Sequence, residues 1–170
     1  VVRDARDNTV TTATSRIMLT ITPGTGATGA VLGGTLTIAA VNGVATFGDV
    51  TVDKAGTSYT LTATANGLTS AISTVFGVSP GAATKLAFAV QPSNAATASA
   101  VISPAVQVTV QDAQGNTVTG TTNSITLAIT PATGTTGAVL GGTLTIAAVN
   151  GVAMFSDLTV DRVGTGYKLT

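Results

Sequence analysis

The sequence of 170 residues contains no cysteine, no histidine, no tryptophan and no glutamate. Without cysteine and histidine, a disulfide, a Ser-His-Asp triad, a Cys-His pair and a histidine-based zinc site are all excluded. Charged residues make up 8% of the chain and sum to a net charge of zero, whereas a nucleic-acid-binding surface is basic. We therefore predict that the chain is not an enzyme, has no cofactor and has no nucleic-acid partner.

Long apolar runs are also missing, because no stretch of 18 consecutive apolar residues occurs, and we therefore predict no membrane span. Threonine is abundant instead, with 35 of the 170 residues. Together with valine and isoleucine it supplies β-branched side chains, which favour strands over helices. No apolar stripe with helical spacing is long enough to predict a helix, so the composition indicates an all-β fold.

The sequence repeats itself at an offset of 108 residues. Residues 2–62 align without a gap with residues 110–170, and 43 of these 61 positions are identical. The block Thr28–Ala45 recurs unchanged as Thr136–Ala153. A repeat of this length is large enough for its own hydrophobic core, so it indicates an array of domains rather than a thin solenoid.

Differences between the two copies follow a period of two residues. The apolar residues of 17–21 recur in 125–129, whereas the intervening Arg16, Met18 and Thr20 are replaced. This is typical of a strand with one buried face. We predict inward-facing residues by the same alternation at Tyr59, Leu61 and Ala63, at Leu86, Phe88 and Val90, at Val106, Val108 and Val110, and at Leu144 and Ile146.

Glycine-rich and asparagine-rich turns separate these runs at the spacing of a β-sandwich. We place strands near 85–90, 105–111, 124–130, 143–148, 152–160 and 166–170, with a seventh near 68–78 of the first copy. The predicted domains are residues 1–79 and 83–170, joined near Pro80-Gly81. Because residue 1 corresponds to residue 109 of the repeat, the first domain should lack its first strand and the second its last strand. The longer chain or a neighbouring subunit would then cover these edges.

Three segments carry a resemblance to a known family: Val110–Val118, Asn150–Phe155 and Asp161–Leu169, the last two recurring from Asn42 and from Asp53. They resemble bacterial immunoglobulin-like repeats of the invasin and intimin type, which occur in long surface and secreted proteins. The third segment also resembles the tyrosine corner of immunoglobulin domains. The resemblance implies two tandem Greek-key immunoglobulin-like sandwiches in an extracellular or cell-surface scaffold, and it implies no catalytic residue.

The aspartates raise the question of a ligand site. Asp4, Asp7 and Asn8 cluster in one loop, where either a calcium ion or an Asx turn would explain them. The second copy has Gly115 in place of Asp7, which leaves Asp112 as its single carboxylate there, so we favour the Asx turn. Four further aspartates occupy the same turn positions in both copies, and we predict that they cap turn backbone: Asp49, Asp53, Asp157 and Asp161.

The unchanged block Thr28–Ala45 has two interpretations. It reflects a recent duplication, or it makes a contact that every repeat makes with a neighbouring repeat or with another copy of the chain in a filament. The candidate contact residues are those that we expect to face solvent within the block and its copy: Thr35, Thr37, Thr143 and Thr145.

Two functions fit these features. The first is a structural repeat of an extracellular bacterial surface protein, acting as a spacer, a stalk or a self-assembling fibre element; the absence of Lys and Arg between Lys85 and Arg162 suits a protease-exposed setting. The alternative is an adhesin module that binds a host, a neighbouring cell or a polysaccharide. The six aromatic side chains are predicted to face inward or lie at corners, which leaves no platform for a sugar. An appendage to an enzyme elsewhere in a longer protein is a third interpretation.

Overall fold

The computed structural model describes all residues from Val1 to Thr170 and contains fifteen β-strands and no helix. The predicted all-β fold is therefore confirmed. No helical segment long and apolar enough to cross a membrane is present. The chain forms two compact units, Val1–Ser79 (unit 1) and Pro80–Thr170 (unit 2).

Unit 1 contains eight strands, all paired antiparallel. They are β1 Arg16–Ile21, β2 Leu32–Gly33, β3 Thr37–Ala39, β4 Thr51–Val52, β5 Gly56–Tyr59, β6 Leu61–Thr64, β7 Ala71–Ile72 and β8 Phe76–Val78. The largest sheet has the order β3-β1-β6-β7, and two further pairs join β2 to β4 and β5 to β8.

Unit 2 contains seven strands, again paired antiparallel. They are β9 Lys85–Val90, β10 Val106–Gln111, β11 Ser124–Thr126, β12 Leu140–Gly141, β13 Thr145–Ala147, β14 Val152–Phe155 and β15 Thr159–Val160. The three-stranded sheet has the order β14-β10-β9, and two further pairs join β11 to β13 and β12 to β15.

The two units share the same strand register wherever both contain the strands. Arg16 pairs with Ala39 in unit 1, and Ser124 pairs with Ala147 in unit 2. The β2–β4 and β12–β15 pairs are related by the same offset of 108 residues. The sequence repeat is thus also a repeat of the backbone hydrogen-bonding pattern.

The core of unit 2 lies between its strands in the manner of a β-sandwich. Val106 and Val108 of β10 are in one buried cluster with Ile125 of β11, Phe155 of β14 and the neighbouring Leu127. Unit 1 has a smaller buried cluster of Val2, Ile17 and Ala40, against which Phe47 and Ala63 pack. The apolar faces predicted for both copies are therefore the faces that form the cores.

The predicted alternation is confirmed in the β1 and β11 segments, where Ile17 and Ile125 are buried between exposed neighbours. It is wrong at Leu86, which is 56% exposed because it lies near the start of β9, an edge strand that pairs only with β10. It is also wrong at Thr109, which is only 7% exposed because its hydroxyl donates to the carbonyl of Ala87 at 3.2 Å.

The strand predicted near 166–170 is reduced in unit 2 to a single bridge between Leu169 and Ile129. The same bridge is the only pairing of the predicted 124–130 strand beyond Thr126. In unit 1 the corresponding residues form the longer pairing of β1 with β6, which is itself flanked by β7. A strand that pairs on one side only is shorter because fewer of its backbone groups are held.

The predicted Asn-Gly turns are two-residue hairpins. Asn42 and Gly43 have φ angles of 50° and 79°, and the backbone groups of Val41 and Val44 exchange both hydrogen bonds across the turn, at 2.8 and 3.0 Å. Two successive positive φ angles are characteristic of a type I′ turn, which favours Asn followed by Gly. The turn at Asn150-Gly151 repeats this geometry.

Candidate contact surface and repeated loops

Two of the four candidate contact residues, Thr35 and Thr143, make hydrogen bonds inside their own unit. The hydroxyl of Thr35 donates to a carboxylate oxygen of Asp49 at 2.8 Å, and its backbone N–H donates to the same carboxylate at 3.0 Å. Thr143 binds Asp157 in the same way, at 2.7 and 2.9 Å. Their conservation between the copies therefore has an explanation within each unit.

These bonds also act on the carboxyl groups that accept them. The Thr35 hydroxyl, followed by the Thr35 backbone N–H, lowers the pKa of Asp49. In unit 2 the Thr143 backbone N–H, followed by the hydroxyl, lowers the pKa of Asp157. Both aspartates are thus held in the charged form that the hydrogen bonds require.

The other two candidates, Thr37 and Thr145, are exposed on β3 and β13. The hydroxyl of Thr145 lies 2.8 Å from the hydroxyl of Thr126 on the adjacent strand. Thr37 instead pairs with Met18, so the cross-strand hydroxyl pair exists only in unit 2. Of the four residues, Thr37 therefore presents its hydroxyl to solvent with the fewest internal obligations.

The remaining turn aspartates also cap backbone, as predicted. A carboxylate oxygen of Asp53 accepts the N–H of Val31 at 2.7 Å, and Asp161 accepts the N–H of Val139 at the same distance. Their partners lie 22 residues away in sequence. Sequence patterns identified these aspartates as capping residues but carried no signal for which distant segment each one caps.

The Asp4 loop adopts the Asx-turn arrangement. One oxygen of Asp4 accepts the backbone N–H groups of Arg6 and Asn8, both at 2.9 Å, and the Asn8 side chain also donates to the carboxylate. The backbone and side-chain hydrogen bonds from Asn8 lower the pKa of Asp4. Asp7 pairs with Arg3 at 2.9 Å rather than with Asp4, so the carboxylates of this loop do not converge.

The equivalent loop of unit 2 is more enclosed. Asp112 is 2% exposed and accepts hydrogen bonds from the Asn116 side chain at 2.9 Å, the Asn116 N–H at 2.8 Å and the Gly81 N–H at 2.9 Å. The Asn116 side chain contributes most to lowering the pKa of Asp112 to about 2, against the opposite effect of burial. No group of three or more acidic residues that could hold a metal ion occurs in the structure.

A tyrosine hydroxyl closes the same loop in both units. The Tyr59 hydroxyl donates to the backbone carbonyl of Lys54 at 2.8 Å, and the Tyr167 hydroxyl donates to that of Arg162 at 2.9 Å. In unit 1 the ring lies against Gly26, whose φ angle is 68°, and a Cβ at this position would overlap the ring. Gly134 has the same relation to Tyr167.

The surroundings of the two tyrosines differ. The ring of Tyr59 is fully buried and stacks on Phe76 with centroids 5.7 Å apart and an interplanar angle of 26°. Tyr167 is half-buried and lines an open groove of about 870 Å³ in unit 2. The sequence placed both tyrosines at corners but did not predict this groove, because the groove depends on what packs beside the corner.

No protein-family model matches the chain, and no curated protein or solved structure is significantly similar to it. The functional argument therefore rests on the repeated hydrogen bonds, the cores and the surfaces of the two units.

Proposed function

We propose that the chain is part of a tandem array of immunoglobulin-like repeats that acts as a structural spacer, stalk or fibre element of an extracellular bacterial surface protein. The observation that carries the proposal is that both units contain the same internal fastenings at positions 108 residues apart. These are the tyrosine-to-carbonyl bond, the Asp-Thr bond and the Asn-Gly hairpin. Such repetition preserves a shape rather than a reactive centre.

The immunoglobulin-like assignment is supported by the strands of one repeat taken together. Unit 2 supplies the sheet β14-β10-β9, and unit 1 supplies the sheet β3-β1-β6-β7. Together these correspond to the two facing antiparallel sheets of an immunoglobulin-like sandwich. The bond from Tyr59 to the carbonyl five residues upstream has the form of a tyrosine corner, and it lies directly before β6, where that motif is found.

A passive role is further supported by the aspartates, each of which is engaged in holding the fold. Six accept backbone N–H groups of turns or strands, namely Asp4, Asp49, Asp53, Asp112, Asp157 and Asp161. The seventh, Asp7, forms an ion pair with Arg3. A catalytic carboxylate would instead face a cleft with its proton-transfer position free.

The surface also favours a spacer over an adhesin. None of the six aromatic side chains is exposed, since two are buried and four are half-buried. Sugar and protein recognition usually relies on exposed aromatic anchors, and the exposed faces here consist largely of threonine and other small residues.

The proposal is tested on the cells that produce the protein. Antibodies raised against the 170-residue chain should label intact, unpermeabilised cells, and immunogold electron microscopy should place the label on stalks or fibres outside the envelope. Labelling that requires permeabilisation would contradict the extracellular role. In parallel, the purified chain is applied to host cells and to a glycan array; saturable binding there would favour the adhesin over the spacer.

A further inference from the structure

Unit 2 has a groove beside its tyrosine corner, which we call the Tyr167 groove. Its apolar lining consists of Phe88, Ile102, Val160, Tyr167 and Leu169, and segments 91–98 and 162–166 form its rims. Its volume of about 870 Å³ is in the range of sites that enclose a ligand or a short peptide segment. All of its lining belongs to unit 2, so it is a feature of one repeat.

Unit 1 shows what covers the equivalent surface. Tyr59 and Leu61, which correspond to Tyr167 and Leu169, lie against the extended segment Ala71–Val78. Within that segment Phe76 stacks on the Tyr59 ring. The Ser73 hydroxyl accepts the N–H of Leu61 at 2.9 Å, and the Ser73 N–H donates to the Leu61 carbonyl at 2.8 Å.

The backbone at Leu169 is open on the side that Ser73 covers at Leu61. Its neighbours Lys168 and Thr170 are hydrogen-bonded to Thr130 and Ala128, at 2.8 and 2.9 Å. The N–H and C=O of Leu169 point to the opposite side and make no hydrogen bond. The Tyr167 groove thus combines an apolar surface with a free strand edge, which is the combination that accepts an added β-strand.

We propose that the Tyr167 groove binds an extended strand with the chemistry of Ala71–Val78, presented by another repeat. The strand runs antiparallel to residues 167–169 and places an aromatic ring on Tyr167. A serine of the strand accepts the N–H of Leu169 and donates to its carbonyl, as Ser73 does at Leu61.

The occupant is not the chain's own Ala71–Val78. That segment is already paired through β7 and β8 with β6 and β5 of unit 1. Moving it to unit 2 would uncover Tyr59 while covering Tyr167, so the exchange offers no net gain in buried aromatic surface. An additional strand of the same type gains the contact without such a loss. This inference does not depend on the spacer role.

The test uses the 170-residue chain and a fluorescent, end-capped peptide with the sequence of Ala71–Ser79. The matched control is the same peptide with Phe76→Ala. We expect fluorescence anisotropy to show saturable binding of the first peptide and a dissociation constant at least about tenfold higher for the second, because the ring supplies most of the apolar contact. Absence of binding by the first peptide, or equal binding by both, would overturn the proposal.

Amide NMR locates the bound peptide. We expect chemical-shift changes at Leu169 and Tyr167 and slower hydrogen exchange of the Leu169 N–H, because it gains an acceptor. Changes confined to Tyr59 and Leu61 would mean that the peptide replaces the native segment of unit 1, and would also overturn the proposal.

Two chain variants separate the stacking contact from general stability. Tyr167→Phe keeps the ring and should bind the peptide as the parent chain does, whereas Tyr167→Leu should weaken binding about fivefold or more. Each variant is first checked for a dispersed amide spectrum. Equal affinity of a folded Tyr167→Leu variant would contradict the proposed contact. None of these results bears on the labelling of intact cells, so the spacer role stands or falls separately.

Discussion

The hydroxyl of Tyr59 donates a hydrogen bond of 2.8 Å to the backbone carbonyl of Lys54, five residues earlier in the chain. The tyrosine is fully buried, so water cannot take the place of either group. The bond fastens the loop that connects β4 to β5 to the start of β6. In unit 2 the equivalent bond joins Tyr167 to Arg162 but is more exposed.

Removing this hydroxyl should destabilise unit 1 more than unit 2. We expect Tyr59→Phe to lower the free energy of unfolding by about 1 to 2 kcal/mol, because the Lys54 carbonyl loses its partner in a buried setting. Tyr167→Phe is the matched control and should have a smaller effect, since water can reach the Arg162 carbonyl. Urea denaturation, read by amide signals from each unit, measures both. Equal losses in the two units would contradict the assigned difference in burial.

The close approach of Gly26 to the Tyr59 ring gives a second prediction. Gly24 and Gly26 both have positive φ angles, but a Cβ at Gly24 meets nothing within 4 Å, whereas a Cβ at Gly26 overlaps the ring. Both alanine substitutions carry the cost of a left-handed backbone, about 1 kcal/mol. Gly26→Ala should cost about 1 to 3 kcal/mol more because the ring must move. Thermal unfolding of the two variants gives the difference, and equal melting temperatures would show that the ring yields freely.

Period-two patterns predicted the cores well because burial of one strand face is a local property of the sequence. Ile17 and Ile125 were expected to face inward and do so in both units. Leu86 was also expected to be buried but is exposed, because burial at a sheet edge depends on which elements lie beside the edge. That information is not contained in the alternation of apolar and polar residues.

Site features were predictable to the extent that they are local. The Asx turn at Asp4 follows from the spacing of Asp4 and Asn8, whereas the Asp49–Thr35 bond joins residues that are 14 positions apart. The conserved Thr35 was interpreted as a candidate surface contact because its internal partner could not be identified from sequence. Similarly, the different environments of Tyr59 and Tyr167 depend on Phe76, which is distant from both in sequence.

Asp112 should make the stability of unit 2 sensitive to acid. Its pKa in the folded state is about 2, against about 3.9 for an unperturbed aspartate. A depressed pKa contributes stability that is fully present above the unfolded value, and this contribution is lost as the pH falls through the folded value. We therefore expect the contribution of Asp112 to be complete above about pH 4 and to disappear between about pH 4 and pH 2.

The Asp112→Asn variant isolates this contribution, because the other aspartates titrate in both proteins. The difference between the urea midpoints of the parent chain and the variant should be largest above pH 4 and should shrink towards pH 2. Asn116→Ala should raise the pKa of Asp112, since the Asn116 side chain is its principal donor, and should move the transition to higher pH. A midpoint difference that does not change with pH would exclude a role for the Asp112 charge.

The contact hypothesis for the threonines can now be tested without disturbing the fold. Substitution of Thr35 or Thr143 is ambiguous, because it breaks the bonds to Asp49 and Asp157. Lysine at Thr37 instead places a charge on an exposed strand face and leaves those bonds intact.

If this face joins repeats or chains, Thr37→Lys should abolish or reduce self-association in sedimentation velocity, because an unpaired charge is costly to bury in an interface. Thr35→Val is the matched control: it removes the internal hydroxyl without adding charge, so it should lower the urea midpoint while association persists. If Thr37→Lys leaves association unchanged, the identity of the two blocks is better explained by recent duplication and by internal bonds such as Thr35 to Asp49.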